Sequence, residues 1–154
     1  MPFPIGYVIV GLIGCIGYLL VKGKKQKVFI SYYSKGDSHY KNLIVAWANN
    51  NKFELNVEDV STDTKIKSKN TQYLKRRMRS KIEEADFFIV FVGKDTHQRD
   101  WVVWEIEEAK KMEKNIIAVK EKRSFRSPKP LLRSNVEWVY GFSEEKLRKA
   151  LESF

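Results

Sequence analysis

The chain has 154 residues, 43% hydrophobic and 31% charged, which is enough for one globular domain and too few for two. That hydrophobic fraction excludes wholesale disorder. Lysine and arginine outnumber aspartate and glutamate by 29 to 19, a formal net charge of +10, and the lone cysteine, Cys15, rules out a disulfide framework or a cysteine-based zinc site within one chain.

Residues 3–21 carry no charge. As a helix that run would span about 28 Å, close to the hydrocarbon thickness of a bilayer, and it predicts a transmembrane anchor over residues 1–22. Phe3, Tyr7 and Tyr18 lie toward its two ends, where amphipathic rings favour the headgroup region. A cleaved secretory leader would begin with basic residues and end at a small-residue cleavage site, and neither pattern is present. Lys22, Lys24, Lys25 and Lys27 instead follow the apolar run. The positive-inside rule then predicts a single-pass inner-membrane protein with its C-terminal domain in the cytoplasm. Residues 23–26 form the basic juxtamembrane segment, and residues 27–154 form the domain.

Within residues 27–154, short β-rich runs alternate with amphipathic helical stretches, which predicts an α/β fold with a parallel sheet of about five strands and helices on both faces. The first strand is KVFISY, residues 27–32, followed by a loop over 33–37 and a helix over 38–50 that packs through Leu43, Ala46 and Trp47. A weaker, alternating run at 53–57 reads as an edge strand, and 59–68 as a polar loop. The helix at 70–85 places Leu74, Met78, Ile82 and Ala85 on one face and most of its basic residues elsewhere. DFFIVFV, residues 86–92, is continuous apolar sequence ended by Gly93, as expected of a central strand.

Asp100 reads as the N-cap of a helix through 114, with Val102, Val103, Ile106 and Ala109 as its packing stripe and Asn115 as its stop. Residues 116–119 are a fourth strand, 121–135 a basic surface loop with Pro128 and Pro130, and 136–140 a fifth strand. Ser143 caps the last helix, and Glu144 and Glu145 complement its dipole.

In an open parallel sheet ligands bind beyond the carboxyl ends of the strands, so the loops after residues 32 and 92 are where a site is expected. The second loop leads into a helix on which Trp101 and Glu105, four residues apart, share a face. A carboxylate beside a ribose can accept its hydroxyls and stabilise positive charge at the anomeric carbon as a glycosidic bond breaks. A cationic leaving group such as a pyridinium needs no general acid and no metal. From spacing alone, a solvated Glu105 comparable to Glu107, Glu108 and Glu113, with Trp101 and Trp104 as packing aromatics, is the plainer reading. A phosphoacceptor receiver domain would need acidic residues where Tyr32, Tyr33, Val92 and Gly93 stand. No GxGxxG or GxxxxGK[ST] motif occurs, and His39 and His97 have no metal-ligand partners at suitable spacing. The basic run over 75–81 keeps a helical period and reads as a solvated face, so no nucleic-acid partner is expected.

KVFISY, DFFIVFV and RDWVVWEIEEAKKMEKNIIAV at 99–119 together resemble the Toll/interleukin-1 receptor (TIR) superfamily, and within it the prokaryotic TIR-like domains of Thoeris antiphage defence. The resemblance covers residues 27–120, and W-x-x-x-E at Trp101 and Glu105 is its most specific part. It implies a flavodoxin-like TIR fold and an NAD nucleosidase of hydrolase or cyclase type, with NAD as substrate rather than cofactor. Its product would be an ADP-ribose-derived signal nucleotide sensed by a separate effector. Glu105 is then the catalytic residue. Tyr32, Tyr33, Ser34, Lys35 and Trp101 line the nicotinamide-ribose pocket, and Asp59 and Ser61 match a D-x-S element after the second strand. Membrane lipid and a second copy of the chain are further expected partners. The proline-containing loop of animal signalling TIR domains is absent, and an N-terminal membrane helix departs from the simplest Thoeris TIR proteins. The alternative is a noncatalytic TIR interaction module tethered to the membrane.

Overall fold

A computed structural model describes residues 26–49, 55–58 and 70–154. The predicted anchor and the predicted polar loop with Asp59 and Ser61 lie outside the described residues. Among the described residues, no helix is long and apolar enough to cross a membrane.

Five strands form one parallel sheet in the order β2-β1-β3-β4-β5: β1 Gln26–Ser31, β2 Leu55–Glu58, β3 Phe87–Val92, β4 Asn115–Lys120 and β5 Val136–Tyr140. The helices are α1 Ser34–Asn49, α2 Thr71–Glu84, α3 Asp100–Lys111 and α4 Glu144–Glu152. Strand β3 is central and all six of its residues are buried, as its unbroken apolar run requires of a strand covered on both faces. The weaker β2 lies at the edge.

Successive residues of a strand face opposite sides, and the core divides accordingly. Val28, Ile30, Ile89 and Phe91 pack against Tyr40 and Ile44 of α1 and Leu147, Ala150 and Leu151 of α4. Phe29, Phe88, Val90 and Val92 pack against Met78 and Ile82 of α2 and Val102, Ile106 and Ala109 of α3.

Three local expectations are corrected. The first loop is shorter than predicted, because the first turn of α1 already begins at Ser34, and the Asp37 amide donates to the Tyr33 carbonyl at 2.8 Å. The packed stripe of α1 is the buried Tyr40 and Ile44 with the partly buried Trp47, whereas Leu43 is 41% exposed and Ala46 is also exposed. Tyr40 takes that place by stacking on Phe91, with ring centroids 4.9 Å apart, and by donating its hydroxyl to Glu121. Asp100 is the first residue of α3 rather than its cap. The N-cap is Arg99, whose side chain makes no capping bond.

The end of α3 has its own logic. The Glu113 amide donates to the Lys110 carbonyl and the Lys114 amide to the Ala109 carbonyl, both at 3.0 Å, which is the paired bonding of a Schellman motif. This motif places Glu113 at φ 53, so the helix stops there and not at Asn115. A residue with a Cβ is strained in that region, and glycine is not. Ser143 caps α4 as expected, its hydroxyl accepting from the Lys146 amide.

Helices α2 and α3 are joined through a carboxylate that spacing alone would have left in solvent. Glu108 is 3% exposed and accepts from Arg79 at 2.7 Å and Lys111 at 2.8 Å. The hydrogen bond from Arg79 is the main influence holding its carboxyl below the usual range, with Lys111 acting in the same direction and burial opposing both. A lowered folded-state value means stability that is present above the ordinary carboxylate range and lost as pH falls through that value. Glu108→Gln should therefore lose about 1–2 kcal/mol at neutral pH, with the gap to the parent closing in acid, as read by urea melts at both pH values. Glu113→Gly, by relieving the left-handed strain, should gain about 1 kcal/mol in the same assay.

Candidate active site

Ser31 is the last residue of β1, where the apolar strand gives way to the loop at the sheet's carboxyl rim. Opposite it, the first turns of α3 present Trp101 and Glu105. Glu105 is 1% exposed. Its Oε2 accepts from the Ser31 hydroxyl at 2.6 Å, and its Oε1 accepts from the Trp101 indole at 2.9 Å. One bond comes from a strand and the other from the preceding helical turn, so the carboxylate's orientation is fixed from two directions. A buried ionisable group needs such partners, and here they hold it at the rim where this class of sheet binds ligands.

Trp101 packs against Trp104, with centroids 5.3 Å apart, and both border the core layer shared by α2 and α3. Lys75 and Arg79 lie over the Trp104 ring at 5.4 and 6.0 Å. The indole of Trp101 thus has one edge in packing and its N–H committed to the carboxylate.

The other predicted residues fall around the same rim. Tyr32 is 4% exposed and belongs to the core layer on the α1 side of the sheet, across from Glu105. Tyr33 is half-buried, and the Arg99 guanidinium lies 3.9 Å from its ring centre. Ser34 and Lys35 form the first turn of α1. Asp59 and Ser61 lie outside the described residues.

Residue types and spacing do not single out Ser31 or Arg99, whereas Asp37 and Thr96 fall in the two loops where a site is expected. Asp37 is 8% exposed. It accepts from the Thr96 hydroxyl at 3.3 Å, while that hydroxyl accepts from the Gly93 amide at 2.8 Å. Burial pushes the Asp37 carboxyl above its ordinary value, against the opposing hydrogen bond from Thr96. A Cβ on Gly93 would sit 2.5 Å from Asp37 Oδ1, so a side chain there would displace the Asp37 carboxylate. This contact and the Arg99–Tyr33 stack tie the loop after β1 to the loop after β3, the two that border Glu105. The sequence signal for the first contact was the glycine ending the central strand.

Among curated proteins, none matches the chain. Several solved structures share its fold. The CMP N-glycosidase BcmB of Clostridium botulinum superposes with a TM-score of 0.53 at 18% identity, over 84% of this chain and 100% of that one. A 2-desoxiribosyltransferase from Leishmania mexicana gives 0.54 at 12% identity, over 82% and 97%. A CheY-like response regulator from Mesorhizobium loti gives 0.52 at 17% identity, over 83% and 97%. At these identities the likeness is one of fold, an α/β architecture that hosts unrelated chemistries. A family model is more specific: that of the TIR-like domain of the Thoeris protein ThsB matches residues 29–125, from the first strand through the helix that carries Trp101 and Glu105 and on past β4. The chain belongs to the ThsB TIR-like domain family of Thoeris.

Proposed function

We propose that this chain cleaves the bond between nicotinamide and ribose in NAD and releases an ADP-ribose-derived signal nucleotide in antiphage defence. The observation that carries this reading is the Glu105 carboxylate, buried at the carboxyl rim and oriented by Ser31 and Trp101. The same fold occurs in a CMP N-glycosidase and a 2-desoxiribosyltransferase, so the architecture accommodates such chemistry, but it is the rim residues that support it here.

In the proposed reaction the ribose lies against Glu105, which accepts its hydroxyls. The C1′–N bond breaks heterolytically, and its electron pair leaves with nicotinamide, neutralising the pyridinium. No proton need be delivered to the leaving group. Positive charge appears on the ribosyl carbon and ring oxygen, where a pre-oriented carboxylate in a water-poor setting stabilises it. Water then adds to C1′ and loses a proton to give ADP-ribose, or a nucleophile within the same molecule adds to give a cyclic product. Trp101 and Tyr33 supply aromatic surface beside the departing ring. The nucleotide acts on a separate effector protein.

Nicotinamide release from NAD by purified protein, assayed with and without phage-derived trigger, tests the reading. No release in either state would leave the noncatalytic interaction module in its place. Glu105→Gln should keep the thermal melt within a few degrees of the parent and lower kcat by about two orders of magnitude or more. Ser31→Ala should lower kcat about tenfold with little change in KM, and Ser31→Thr should restore much of it by returning a hydroxyl donor to Oε2.

A further inference from the structure

At the sheet's amino-terminal edge, opposite the candidate active site, a cavity of about 390 Å³ opens beside the start of β4. Lys110, Lys114 and Arg133 line it together with one acidic side chain, Glu113. Lys110 donates to the Pro130 carbonyl at 2.8 Å, and Lys114 donates to the carbonyls of Glu83 and Ala85 at 2.6 and 2.9 Å. Those acceptors are neutral, so they orient the ammonium groups without cancelling their charge. Two large apolar side chains stand at the same edge: Phe154 lines the cavity and is 48% exposed, and Leu132, next to Arg133, is 53% exposed. Cations beside exposed apolar groups match a lipid interface, where headgroup phosphates lie above acyl chains.

Chain connectivity places the start of β1 on this same edge. Val28 pairs with Phe87 and Phe87 with Asn115, so β1 begins two residues beyond the level at which β4 begins, on the same edge as the cavity. Four residues, 22–25, separate the apolar run from Gln26. Fully extended, the path from residue 21 to residue 26 reaches about 18 Å. The cavity lies two strands across from β1, about 10 Å in the hydrogen-bonding direction. If residues 1–22 anchor the chain, the amino-terminal edge is held within that reach of the bilayer, and the cavity is brought to the headgroups. Of the acidic side chains nearby, Glu84 pairs with Lys27 at 3.3 Å.

We propose that the Lys110–Lys114–Arg133 cavity and the flanking Leu132 and Phe154 are a docking surface for anionic phospholipid headgroups, which seats the domain on the membrane with its catalytic rim facing away from it. The proposal rests on the anchor and not on the NAD reaction, so the two stand or fall separately.

The test uses the full chain in a Cys15→Ser background, reconstituted in phosphatidylcholine vesicles with and without phosphatidylglycerol. An environment-sensitive fluorophore is placed by Leu132→Cys, or at the opposite rim by Lys94→Cys, and quenched by a nitroxide-headgroup lipid. Quenching is expected at position 132 in the anionic vesicles, with little in the neutral ones and little at position 94 in either. In Lys110→Glu/Arg133→Glu the ratio of docked to undocked chain should fall roughly fivefold for each cation lost, and high salt should act in the same direction. Equal quenching in neutral and anionic vesicles, equal quenching at positions 94 and 132, indifference to the double charge reversal, or recovery of the chain free of vesicles would each overturn the proposal. A thermal melt of the double variant matching the parent separates lost docking from lost fold.

Discussion

A carboxylate almost wholly withdrawn from water must be compensated where it lies, and the Ser31 hydroxyl and the Trp101 indole N–H both donate to Glu105. That requirement ties α3 to the end of β1. With Ser31 below and Trp101 one turn behind, the carboxylate cannot swing toward solvent without leaving two donors unsatisfied in a buried place. Its neighbour Glu108 shows the same principle put to a different use, since a guanidinium and an ammonium hold that carboxylate between α2 and α3. The two acids are three residues apart on one helix. At the rim a hydroxyl and an indole N–H donate to the first, and in the helix interface a guanidinium and an ammonium donate to the second.

Much of the architecture was legible because periodicity reports burial directly. The six-residue apolar run of β3 could belong only to a strand covered on both faces, and Leu74, Met78 and Ile82 recur at helical spacing because α2 has one covered side. The bounds of β5 also agree with the reading from sequence. Misreadings arose where the deciding partner is remote in the chain. The run of residues from Leu43 to Trp47 offers α1 more than one plausible packing face, and the choice is made by Phe91, fifty-one residues beyond Tyr40. Ser34, Lys35 and Gly36 look like a loop because they are small or polar, yet they begin a helix whose first turn is fastened through Asp37 to Thr96. Of the site, the Trp101–Glu105 spacing was visible, but Ser31 was not, because a serine at a strand end carries no mark of the carboxylate seventy-four positions later.

The comparisons separate two levels of inference. A response regulator, an N-glycosidase and a desoxyribosyltransferase all share this arrangement of sheet and helices, which shows how little the architecture alone says of chemistry. The residues at the rim set this chain apart from a phosphoacceptor. Where a phosphoacceptor would need a cluster of acids at the ends of the first and third strands, this chain has tyrosines, a valine and a glycine, and its rim carboxylate comes from α3 instead.

The meeting of Gly93 with Asp37 has an evolutionary corollary. The end of the central strand and the first turn of α1 touch with no room for a methyl group, so a side chain can enter at 93 only after the acid at 37 has been shortened or turned aside. Changes at these two places are therefore coupled, since what a side chain at 93 does to the fold depends on which residue stands at 37.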